Sequence, residues 1–84
     1  MEMAALARCI RALCEKEGIT GREMALRGKI SPPTVRKILS GEVKSVRVQT
    51  LLRLAAAFDL PLTEFLEIVK TFEDENEEKQ LVSK

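Results

Sequence analysis

Apolar residues recur three and four positions apart along most of this 84-residue chain, the spacing that lines one face of a helix. Leu6, Ile10, Leu13 and Cys14 set the first stripe, over about residues 3 to 17, and Gly18 supplies a left-handed stop. Thr20-Gly21-Arg22-Glu23 then forms a capping box. The Thr20 hydroxyl and the Glu23 carboxylate each take up a free amide there, and Ile19 is placed to staple onto Met24. The second helix, 20 to 27, is short, because Gly28 is expected to take the next left-handed cap.

Ile30-Ser31-Pro32-Pro33-Thr34-Val35 repeats this logic. Ser31 is the expected N-cap, Pro32 sits where a missing amide costs nothing, and Ile30 can staple to Val35. The third helix, 31 to 40, turns Val35 and Ile38 inward, leaves Thr34, Arg36 and Lys37 outward, and stops at Ser40-Gly41. After a loop from Glu42 to Val46, Val48, Leu51, Leu52, Ala55 and Phe58 mark a fourth helix over 47 to 58. Pro61 opens a fifth over 61 to 72, carrying Leu62, Phe65, Leu66 and Val69. No β-branched alternation suggests strands, so the pattern predicts an all-α five-helix bundle. The remainder, 73 to 84, is polar and acidic and reads as frayed helix or disordered tail.

A chain of 84 residues that is 45% hydrophobic suffices for one thin core, hence one domain over 1 to 72. No apolar run nears the roughly 20 residues that span a membrane, and charges interrupt the N-terminal apolar residues, so a cytoplasmic protein is expected. Cys9 and Cys14 point about 140° apart on a helix and cannot bridge. Without histidine or further cysteines they make no zinc site, and no cofactor or metal is expected. With no His, no Tyr, no nucleophile beside a base and no glycine-rich phosphate loop, an enzyme is not expected either.

The formal net charge of +1 conceals an asymmetry: residues 1 to 53 hold eleven Lys or Arg against five Glu, and residues 54 to 84 hold three against eight acidic groups. A basic front and an acidic rear suit a domain that meets phosphates with one side. Two short helices joined by a tight turn, the second with a basic outward face, are also what the major groove admits.

Residues 10 to 66 resemble, without a gap, the phage repressor and Cro-like (XRE-type) family of helix-turn-helix domains. Ile10, Leu13, Gly18, Ile19, Met24 and Ala25 fall on its apolar, cap and turn positions, as do Ile30, Ser31, Val35, Ile38 and Gly41, and then Leu51, Leu54, Ala55, Phe58 and Leu62. The resemblance implies a transcriptional regulator, in the first instance a repressor, that binds double-stranded DNA with the helix beginning at Ser31 in the major groove. It assigns DNA contacts to Thr20, Gly21, Arg22, Ser31, Pro32, Pro33, Thr34, Arg36 and Lys37. It assigns phosphate contacts to Ser40, Lys44 and Ser45, and it places Arg47 where some members insert an arginine into the minor groove.

Three departures from the family pattern bear on that assignment. Gly21 replaces a common glutamine, and Pro32 and Pro33 stand where polar base readers are usual, so discrimination shifts toward Thr34, Arg36, Lys37, DNA shape and phosphates. Cys14 and Leu39 stand where many members pair an arginine with a glutamate, a joint loss that a packed apolar contact can replace. Gly28 lies one residue before the usual turn glycine, whose place Lys29 takes, so a positive φ and a slightly shifted turn are expected at Gly28.

Family members usually bind paired half-sites as dimers. Leu62, Phe65, Leu66, Val69 and Phe72 exceed one buried face, which predicts a homodimer through helix five. The alternative is a helix-turn-helix module for protein contact, such as an antitoxin or accessory regulator with a protein partner and weak DNA readout.

Overall fold

The computed structural model describes the backbone of residues 1 to 82 and the side chains of residues 1 to 75. Five helices follow in order: α1 (Met3–Glu17), α2 (Gly21–Gly28), α3 (Pro32–Ser40), α4 (Val48–Ala57) and α5 (Leu62–Val82), with no strand among the described residues. α2 lies chiefly against α4, and α1 against α5 and α3. Leu6 and Ile10 of α1, Met24 of α2, Ile38 of α3, Leu54 of α4 and Phe65 of α5 meet in one core. Each helix contributes its inward stripe, so none of the five is stable apart from the others' apolar faces.

The end signals fall where the residues place them. Gly18 (φ 68°) and Gly41 (φ 78°) are left-handed caps of α1 and α3. At the start of α2 the Glu23 amide donates to the Thr20 hydroxyl at 3.1 Å, and the Thr20 amide donates to the Glu23 carboxylate at 3.3 Å.

The turn between α2 and α3 corrects one expectation. Lys29, at φ 57°, is the left-handed residue, and Gly28 is the last residue of α2. Gly28 serves close approach instead: a β-carbon there would stand 2.7 Å from the Arg53 carbonyl oxygen and 3.3 Å from Ala57 Cβ on α4. The turn therefore occupies its usual place, and the expected shift does not occur.

Ser31 holds the N-cap position of α3, but its hydroxyl does not cap the helix. It lies 2.6 Å from the Thr34 hydroxyl. In α4, Leu51, Leu54 and Ala55 are buried, whereas Val48 and Leu52, one turn apart on another side, are exposed. α5 continues to Val82, past the end near 72 that its apolar stripe marks. Glu, Lys and Gln carry it there by helix propensity, which apolar spacing does not register. For the acidic segment 73 to 84, the expectation falls outside the described residues at 83 and 84.

Candidate nucleic-acid interface

α3 is amphipathic in the sense the site needs. Val35 and Ile38 are buried, Leu39 is half-buried, and Pro32, Pro33, Thr34, Arg36, Lys37 and Ser40 face solvent. Its two opening prolines have no amide hydrogens, and the Val35 amide donates to the Ser31 carbonyl at 3.1 Å. The Thr34 amide is thus the one main-chain donor that the first turn can offer outward. Anion binding on this face depends on side-chain cations more than on the helix start.

The structure brings the start of α2 against α3. Gly21, Arg22, Pro32, Val35, Arg36 and Leu39 line an open hollow of about 490 Å3, with both arginines exposed. A β-carbon at Gly21 would meet Leu39 Cδ1 at 3.6 Å, an ordinary van der Waals contact. A cation on each helix beside an apolar floor is suited to phosphate oxygens outside and base or methyl edges inside.

The hydroxyls on this face have work within the fold. Thr20 closes the capping box, and the Ser40 hydroxyl donates to the Lys37 carbonyl at 3.0 Å. Both residues are exposed, so their roles in the fold leave an edge to solvent. Lys44 and Ser45 lie exposed in the loop after α3, and Arg47 is the extended N-cap of α4. None of these three lines the hollow.

Cys14 is buried, and Leu39 is half-buried against the core cluster that includes Cys14. One polar tie here has no sequence signal. The Arg11 guanidinium on α1 donates to the Leu39 carbonyl oxygen at 2.7 Å, near the end of α3. Arg8, Arg11, Leu39, Ser40 and Gly41 also share a smaller hollow of about 250 Å3, so Leu39 is common to both hollows.

The expected apolar surplus on α5 is mostly absorbed by the core. Phe65 and Val69 are buried, and Leu62, Leu66, Ile68 and Phe72 are half-buried against it. Apart from Met1, the large apolar side chains exposed among the described residues are Leu26, Val48 and Leu52. Burial pushes the Cys9 thiol up to about 11 and raises that of Cys14, since desolvation disfavours the thiolate at both. No helix of the described residues is long and apolar enough to cross a membrane.

In comparison with known proteins, the model of the family described as Helix-turn-helix matches residues 10–65. No curated protein and no solved structure matches the chain.

Proposed function

The chain belongs to the XRE-type, Cro-like helix-turn-helix family of DNA-binding regulators and has its lambda-repressor-like all-α fold, and from that premise we propose that it is a sequence-specific repressor with α3 in the major groove. The observation that carries this reading is the hollow where Arg22 of α2 and Arg36 of α3 stand over the apolar floor of Val35 and Leu39. Arg36, Lys37 and Thr34 face the bases; Pro32 and Pro33 meet thymine methyl groups; Ser31 and Thr20 hold the helix starts at the groove edge. Arg22, Ser40, Lys44 and Ser45 take backbone phosphates, and Arg47 approaches the minor groove. The protein works as a cytoplasmic homodimer on paired half-sites, joined through α5.

Duplex selected from a random pool tests this reading. Affinity for the selected sequence should exceed that for unrelated duplex by about a thousandfold or more and fall steeply with added salt. Failure to bind any duplex at low salt would overturn it. The protein-contact reading then remains, and exposed Leu26, Val48 and Leu52 favour it as apolar side chains available to a partner.

A further inference from the structure

We propose that Arg11, on α1 and outside the helix-turn-helix unit, is a positioning residue that sets the pose of α3 by holding its C-terminal end. α3 has nine residues, of which only Val35 and Ile38 are buried. Ile38 and the half-buried Leu39 seat the C-terminal end of α3 on the core, and a polar tie to the backbone there adds a restraint on the pose of the helix that apolar packing does not supply.

The cap after α3 supplies partners for some of its last carbonyls and not for others. The Gly41 amide donates to the Ile38 carbonyl at 3.3 Å, and the Glu42 amide donates to that of Lys37 at 3.1 Å. The Leu39 carbonyl receives neither. It is taken instead by the Arg11 guanidinium at 2.7 Å, from 28 residues away and from another helix. A cation at a helix C-terminus also complements the helix dipole, and a charge-assisted bond is stronger than a neutral one. Arg53 of α4 makes a longer counterpart in the turn before α3, donating to the Lys29 carbonyl at 3.4 Å. The reading unit is thus tied by side-chain to backbone bonds from α1 and α4, and the shorter tie fixes the end from which Lys37 and Ser40 project.

Since DNA reading by α3 is itself proposed above, the test has one arm without DNA. In the free protein, Arg11→Ala should raise amide hydrogen exchange at Lys37 to Glu42 several-fold while the core amides of Met24 and Leu54 keep their rates. In the second arm, the Arg11→Ala variant should bind selected duplex about three- to tenfold more weakly, the range of one such bond, at an unchanged salt slope. Arg11→Lys, which keeps a charged donor, should recover part of that affinity. Unchanged exchange at Lys37 to Glu42 would overturn the proposal. So would a salt slope lowered by about one, which identifies Arg11 as a phosphate contact. If the wild-type protein bound no duplex, the DNA reading would fail, while the exchange arm would still decide whether Arg11 holds α3.

Discussion

Gly28 of α2 packs so closely on Arg53 of α4 that a β-carbon would stand 2.7 Å from the Arg53 carbonyl oxygen. Backbone on both sides leaves no flexible side chain to move aside, so this glycine sets the distance between the two helices. Alanine is the better helix former by about 1 kcal/mol, yet overpacking of this kind costs roughly 1–3 kcal/mol. Gly28→Ala should therefore lower the unfolding free energy by a net of up to about 2 kcal/mol, seen as a lower urea midpoint. A midpoint at or above wild type would show that α2 and α4 separate freely.

Lys29 holds the left-handed conformation one residue later, at φ 57°, where glycine has no steric penalty. A non-glycine residue there costs about 1–2 kcal/mol, partly offset by the greater flexibility of glycine in the unfolded chain. Lys29→Gly should raise stability by about 0.5 kcal/mol, read from thermal unfolding. A loss of stability would mean that the Lys29 side chain contributes more than its backbone costs.

These two neighbours mark where the sequence is legible and where it is not. Thr20 with Glu23, Pro32 and Gly41 announce helix ends because caps are local, one residue answering an amide or carbonyl a few positions away. Glycine is ambiguous: at Gly28 it answers a neighbour in space, and only the packed helices tell that from a left-handed turn. Val48 and Leu52 share helical spacing with Leu51 and Ala55, and spacing alone does not say which side of α4 the core takes. The exposed face of α3 was legible from its alternation with Val35 and Ile38. The tie from Arg11 to the Leu39 carbonyl was not, since a main-chain acceptor leaves no trace in residue identity.

The Cys9 thiol gives a pH signature. Its folded value is about 11 against an ordinary 9.0, so the unfolded chain loses this proton first. Stability from this group is complete below pH 9 and falls as pH rises to about 11. The full drop is roughly 2–3 kcal/mol from a shift of this size. Cys9→Ala should be less stable at pH 7 because of the cavity, but should lose less between those limits than wild type does. Parallel curves for the two proteins would show that Cys9 does not titrate against burial.

For the proposed homodimer, the half-buried Leu66 and Phe72 of α5 compete with exposed Leu52 of α4 as the apolar contact. Sedimentation at micromolar concentration should give a dimer, and Phe72→Ser should shift it toward monomer with its helical circular dichroism retained. Leu52→Ser should remain dimeric. The reverse pattern would move the interface to α4, and a wild-type monomer would remove it.

Base reading and phosphate holding leave different marks on binding, and this separates the roles proposed for α3 and for the loop after it. A side chain on a base edge discriminates by about 1–3 kcal/mol at its own position, whereas a phosphate contact weakens all sequences alike and reduces the salt slope by about one. Lys37→Ala should relax the preference at one base pair in a selection from random duplex. Lys44→Ala, in the loop beyond the hollow, should weaken selected and unrelated duplex by the same factor. Arg36 and Arg22 line one hollow from opposite helices, so their joint loss should fall short of the sum of the single losses if both cations hold one DNA segment, because losing either already loosens that segment from the other. Simple additivity would mean that each arginine meets the duplex independently. A preference left intact by Thr34→Val, Arg36→Ala and Lys37→Ala alike would remove α3 as the element that reads sequence.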